Sequence, residues 1–261
     1  MWIDSHTHLD FAVFDPLSPY LQAAQAAQVE ACVLAGVQAS RWPPLYQLAR
    51  TSPYPLAPSL GLHPYFLDAH QPDADLAQLQ QTLQRQHPNK PWIAIGEFGL
   101  DPYCAPLAAQ WPLFEAQVQL ARAHQLPVIL HVRQVHDVVC QYLRRYPVCG
   151  GVIHAFSGSL QQAHAYLDLG LRLGIGGALT YPRAQKLRRV MAAIPADAFV
   201  LETDSPDMPL CGYQGQTNQP ARLPIIAQHL AKLRQLDLTE LSVQARQNTL
   251  AALPLLAIYL R

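Results

Sequence analysis

The sequence predicts an eight-stranded (β/α) barrel, an α/β TIM barrel forming a single domain over 1–261, on three observations. Its 261 residues are close to the ~250 usual for that architecture. Short apolar runs alternate with helix-patterned segments along the whole chain. Polar residues able to bind metal recur where those runs end, as barrels that build their sites on one rim require.

The expected strands, in order, are Trp2–Asp4, Ala31–Ala35, Leu56–Leu60, Trp92–Gly96, Val128–His131, Val152–His154, Leu171–Gly174 and Phe199–Glu202. Each is a brief apolar stretch bounded by polar, Gly or Pro residues, the pattern of a strand buried on both faces. Between them lie helical spacings. In Gln110–His124, residues Trp111, Phe114, Val118 and Ala121 fall on one helical face. Pro112 is expected near the start of that helix, where its missing N–H costs little. Two helical stretches after Pro220, ending near Leu250, complete the barrel. A doubly wound open sheet usually carries a Gly-rich turn after its first strand, and Ser5-His6-Thr7-His8 occupies that place here.

Composition narrows the function. Half the residues are hydrophobic, 14% are charged and the formal net charge is zero, which argues against gripping long duplex nucleic acid by charge. The five cysteines are scattered with no CxxC pair, so neither a disulfide framework nor a thiolate zinc site is expected. No charged-then-apolar leader and no membrane-length apolar run is visible, so a cytoplasmic protein with no membrane partner is expected. No protein partner is implied.

His6 and His8 lie two apart at the end of the first strand, where alternation turns both rings to one side. The fourth strand leads to Glu97, the fifth to His131, the sixth to His154 and the eighth to Asp204. Imidazoles and carboxylates together suit zinc, manganese or magnesium. Six such residues exceed what one tetrahedral ion needs, so two divalent ions sharing a carboxylate is the economical reading.

Several motifs run in order along the chain: Asp4-Ser5-His6-Thr7-His8, Gly61-Leu62-His63-Pro64, Gly96-Glu97-Phe98-Gly99-Leu100-Asp101 and Leu126-Pro127-Val128-Ile129-Leu130-His131-Val132-Arg133. His154-Ala155-Phe156-Ser157-Gly158 and Glu202-Thr203-Asp204-Ser205-Pro206 follow. With them the sequence closely resembles the TatD family of metal-dependent hydrolases, in its YjjV-like branch, among the amidohydrolase-type metal barrels. The resemblance implies a deoxyribonuclease that hydrolyses phosphodiester bonds with two divalent ions. It implies one ion on His6, His8, Glu97 and Asp204, and another on Glu97, His131 and His154, with Glu97 bridging. His63 matches a substrate-side histidine, and Arg133 is placed to meet phosphate. The loop Pro102–Pro106 departs from the family, lacking the aromatic and basic residues many members carry.

In this reading Glu97, Asp204 and His63 carry the catalysis, on DNA ends or short oligonucleotides. Asp204 either accepts the proton of the attacking water or serves only as a ligand. Arg133 either binds phosphate or pairs with a rim carboxylate such as Asp101. Gly174-Ile175-Gly176-Gly177 is either an anion cradle or a tightly packed turn. Tyr65 and Phe66 either stack on a base or cover the rim. The cluster Arg183, Lys186, Arg188 and Arg189 either guides DNA or is a solvated helix face. The alternative chemistry is an amidohydrolase-type cleavage of a C–N bond or lactone. Many of those enzymes bridge their metals with a modified lysine on strand four, where this chain has Glu97.

Overall fold

The eight expected strands are all present, in chain order, in a computed structural model that describes residues 1–260; residue 261, the last of the expected domain, lies outside the described residues. They are β1 (Trp2–Thr7), β2 (Val29–Leu34), β3 (Leu56–Pro58), β4 (Ile95–Leu100), β5 (Val128–Val132), β6 (Gly151–His154), β7 (Leu171–Ile175) and β8 (Phe199–Leu201). All pair in parallel, β1 through β3 in one ladder series and β4 through β8 in another. Single bridges at Leu60–Ile95 and Thr7–Ser205 join the two series at both gaps, so the strands form a TIM-barrel-like ring. The intervening helices are α1 (Ser18–Ala26), α2 (Trp42–Thr51), α3 (Pro72–Gln84), α4 (Leu107–His124), α5 (His136–Arg145), α6 (Leu160–Leu167) and α7 (Gln185–Ala193). Then α8 (Leu223–Arg234) and α9 (Leu238–Ala252) follow β8, as expected.

Most expected boundaries shift by a few residues, β1 running on to Thr7 so that His6 lies within it, and three further shifts matter here. The fourth strand begins at Ile95 rather than Trp92, because Ile93 and Ala94 only exchange single bonds with Pro58 and Leu60, and regular pairing with β5 starts at Ile95. Glu97 therefore lies inside β4 and not at its end. Conversely, β8 stops at Leu201, leaving Asp204 in the loop beyond it, where its N–H donates to the His6 carbonyl. Helix α4 starts at Leu107, directly after an extended Pro106, so Pro112 is interior. Its missing N–H leaves the carbonyl of Ala108 without the usual i−4 bond.

Two apolar layers hold the ring. Trp42, Phe98, Phe114 and Phe199 belong to the one between strands and helices. Ile3, Val33, Ile129, Val152 and Val200 fill the inside of the ring, where Leu253, Leu256 and Tyr259 pack against them. Strand alternation then decides the site. Ile129 and His131 share a face of β5, and Val152 and His154 share a face of β6, so each inward row turns from apolar to imidazole towards the strand's C-terminal end.

Among the described residues, no helix is long and apolar enough to cross a membrane.

Candidate metal centre

The six residues expected to bind metal converge in space, at one end of the ring, from within or just beyond their strands. His6 Nε2 lies 3.0 Å from Glu97 Oε2, 3.3 Å from His8 Nε2 and 3.6 Å from Asp204 Oδ1. His8 Nε2 is 3.4 Å from Glu97 Oε2 and 3.5 Å from Asp204 Oδ1. Ligand atoms held at 2.0–2.1 Å on a tetrahedral ion stand about 3.3 Å apart, so this group has the spacing of such a site. The other Glu97 oxygen faces a second group: Oε1 is 3.1 Å from His63 Nε2, 3.3 Å from His131 Nδ1 and 3.8 Å from His154 Nε2. Glu97 thus offers one oxygen to each group, the geometry a bridging carboxylate requires.

The second nitrogen of each ring sorts the histidines. His8 Nδ1 stands 3.0 Å from the Ala35 carbonyl, an acceptor only, so the ring proton sits there and the Nε2 lone pair faces the cluster. His131 does the same through Nε2, which is 3.0 Å from Asp101 Oδ2. His63 is reversed. Its Nδ1 accepts from the Tyr65 N–H at 3.1 Å, so in the neutral ring Nε2 carries the proton and donates to Glu97. A protonated ring nitrogen cannot ligate a metal, which makes His63 a donor beside the site.

Burial and charge set the proton balance. Burial raises the pKa of Glu97, but His63, His6 and His154 outweigh it and hold the carboxyl well below its usual range. Asp204 is likewise lowered, against its burial, by His154 and His8. Burial and the neighbouring His154 push His6 down, whereas the carboxylates of Glu202, Asp204 and Glu97 override burial and hold His154 up at about 10. His8 is also raised, by Asp204 and Glu97 against its burial. Protons on these rings offset the buried carboxylates, and divalent ions would do so in their place. The donor types, the spacing and the tautomers of His8 and His131 fit such ions.

Comparison with known proteins follows the same line. A family model described as TatD related DNase matches residues 3–254. The chain is 41% identical over 253 residues to the metal-dependent hydrolase YjjV of Escherichia coli K12, covering 95% of this chain and 96% of the relative. The crystal structure of YjjV superposes with a TM-score of 0.91 at 40% identity, covering 97% of this chain and 98% of that one. A protein of Pantoea named 3'-5' ssDNA/RNA exonuclease TatD is 33% identical, over 86% of this chain and 88% of its own. The chain belongs to the TatD family. It is a metal-dependent hydrolase on a TIM-barrel-like fold.

In this TatD-family chain a cavity of about 260 Å³ opens on the cluster, lined also by Phe11, Tyr65, Phe66 and Asp207. Phe11 stacks on His8, with ring centroids 4.9 Å apart, and nothing in the sequence reading pointed to it. Tyr65 is exposed and Phe66 partly so, which leaves both free to meet a ligand at the mouth. A larger cavity of about 830 Å³ lies elsewhere, between Leu17, Val29, Leu48 and Tyr54. It holds no cluster of ligating groups, and its one acid, Glu30, is paired with Arg246.

Arg133 does not line the smaller cavity. Its guanidinium stands 3.7 Å from Asp101 Oδ2 and 4.3 Å from the centre of the Tyr103 ring, the ion-pair alternative. The glycine stretch at the end of β7 is closely packed and not an anion cradle. A Cβ on Gly174 would lie 2.2 Å from Glu202 Oε2, and one on Gly177 2.4 Å from the Met208 carbonyl. In the basic cluster Arg183, Lys186 and Arg189 are exposed, while Arg188 donates to the Leu179 carbonyl.

Several residues that hold the site were not singled out from the sequence. Asp4 is fully buried and accepts from the Thr203 N–H and hydroxyl, tying the Asp204 loop to β1; burial pushes its carboxyl up to about 8 despite those bonds. From α4, Gln117 exchanges two hydrogen bonds with the backbone of Leu62 beside His63, and Gln110 does so with Asp101. Polar side chains on otherwise apolar faces were the available signal.

Proposed function

We propose that this chain is a two-ion phosphodiesterase acting on the ends of DNA or on short single strands. The observation that supports it most is Glu97, whose two oxygens face two separate groups of ring nitrogens. Both ions would share Glu97; one would rest on His6, His8 and Asp204, the other on His131 and His154. Zinc, manganese or magnesium held there would activate a water and offset charge on the phosphoryl oxygens.

The chain's own groups do the rest. Glu97 and Asp204, kept ionised by the imidazoles around them, remain available as anionic ligands at neutral pH. Asp204, whose carboxylate stands at the cavity wall, receives the proton of the attacking water and returns it to the alkoxide oxygen released as the P–O ester bond breaks. His63, with its proton at Nε2, donates to a phosphate oxygen once Glu97 is engaged. Phe11, Tyr65 and Phe66 offer apolar faces to the sugar or base beside the scissile bond. The TatD exonuclease name carried by the Pantoea relative points to the same substrate class.

The cavity lining contains no lysine or arginine, which favours one monoanionic diester over a run of phosphates. The same lining suits a neutral amide or lactone, so the test compares the two. Metal-loaded protein is assayed on bis(4-nitrophenyl) phosphate, single-stranded oligonucleotides, amides and lactones. Phosphodiester turnover with little action on the others is expected; the reverse preference overturns the proposal.

A further inference from the structure

We propose that Glu202 is a positioning residue for the metal centre, aligning His154 through a carboxylate that never touches the metal, and that Gly174 is glycine to make room for it. The inference rests on the metal-centre reading and does not depend on the substrate.

Glu202 is fully buried one residue beyond β8. Its backbone N–H donates to the Ile175 carbonyl, which sets the side chain beneath the site. Oε1 accepts the Ala155 N–H at 2.6 Å and stands 3.0 Å from His154 Nδ1. That oxygen binds the backbone turn that follows the ring, where Ala155 has a φ of 45°, and sets a carboxylate beside Nδ1, which itself makes no hydrogen bond of regular geometry. The carboxylate beside Nδ1 favours the ring proton there, which would leave the Nε2 lone pair facing Glu97 and Asp204, 3.8 and 3.6 Å away. An outer carboxylate on a ligating histidine orients the ring and raises its basicity.

The second oxygen lies against β7. Oε2 is buried without a hydrogen-bond partner and lies against Gly174, where a Cβ would intrude to 2.2 Å. Glu202 neither lines the cavity nor joins a group of converging ligand atoms. A buried carboxylate with one empty oxygen is costly in itself, and among the described residues its ion-pair partner is the His154 ring. The effect extends further. His6 stacks on His154 with centroids 3.8 Å apart and planes 20° apart, and His6 Nδ1 has no partner of its own. Aligning His154 therefore also aligns His6.

The experiment measures zinc affinity by chelator competition, with thermal unfolding of the metal-free protein in parallel, for wild type, Glu202→Gln, Gly174→Ala and the double variant. Glu202→Gln removes the charge at constant volume. Gly174→Ala leaves every charge in place and displaces the carboxylate. Each is expected to weaken zinc binding about 10- to 100-fold, and the double to be no weaker than the worse single by more than about threefold, since both act on one contact. Should Glu202→Gln fail to fold, Gly174→Ala carries the same test. Unchanged zinc affinity with a lowered melting temperature would mean that Glu202 only packs, and overturns the proposal. Wild type that binds no zinc, manganese or magnesium overturns both this inference and the metal centre beneath it, whereas zinc binding without phosphodiester turnover overturns only the proposed substrate.

Discussion

The two ends of the barrel interior are built from the same strands by opposite chemistry. Towards the strand N-termini, Ile3, Val33, Ile129, Val152 and Val200 meet Leu253, Leu256 and Tyr259 in an apolar layer. Two residues further along β5 and β6 the inward positions are His131 and His154, and buried acids surround them. The apolar end lowers its free energy simply by leaving water, at about 25 cal/mol per Å². The polar end gains nothing that way. Its buried charges are tolerable only when paired, and the imidazoles balance the carboxylates only while they hold protons. One end is therefore stable by itself, and the other is complete only with a cation.

The sharpest way to break this contrast is Glu97→Ala. Both groups of ligand atoms use Glu97, so the variant is expected to lose ions and about 4 kcal/mol of transition-state stabilisation, about 1,000-fold in kcat/KM. His63→Ala removes a donor beside the site and is expected to cost about 100-fold with ion content unchanged. Metal analysis and turnover on both variants check the order, and Glu97→Ala protein that keeps two ions and most activity removes the bridge.

Ile129→Ala probes the other end. It should cost about 3 kcal/mol of unfolding free energy, by the same amount with and without metal, whereas stripping metal from wild type should by itself lower stability by about 2.7 kcal/mol relative to protein held at 100 times the ion's Kd. Denaturant unfolding under the two conditions separates the contributions. A metal-dependent cost of Ile129→Ala would show that the ends are coupled.

Acid sharpens the contrast away from the site. His136 on α5 is held down at about 4, by burial and then by Lys186. Its folded value lies below its unfolded value of about 6.5, so between those limits the unfolded chain binds a proton that the folded chain refuses. Stability should therefore be full above pH 6.5 and fall by about 3 kcal/mol as pH drops towards 4. His136→Phe should flatten that window in metal-free protein; an unchanged acid profile assigns the loss to other groups.

The smallest effect concerns salt. With no lysine or arginine lining the cavity, binding of single-stranded DNA by Asp204→Asn protein should engage two to four phosphates, a log–log salt slope of about −1.4 to −2.8. Ion occupancy is measured alongside. A steeper slope, with preference for long duplex, would reveal an extended path across the exposed Arg183, Lys186 and Arg189.

What the residues alone determined follows from short-range physics. Strand alternation pairs His6 with His8 and His131 with Ile129, apolar runs mark all eight strands, and chain order in a parallel barrel brings their ends to one rim. The ligand set was legible because chemistry confined it to a few residue types. Packing between distant segments decided the rest. The cavity's Phe11 face, the reversed tautomer of His63, the turn of Arg133 towards Asp101 and the role of Glu202 all depend on contacts across the barrel. Gly174 shows why. Its sequence neighbourhood reads as an anion cradle or, rather more readily, a packed turn, and only the Glu202 carboxylate, arriving from 28 residues along the chain, fills the space its missing side chain leaves. Local sequence sets what each strand can offer, but which atoms meet depends on register and rotamer, and these are fixed only when the ring closes.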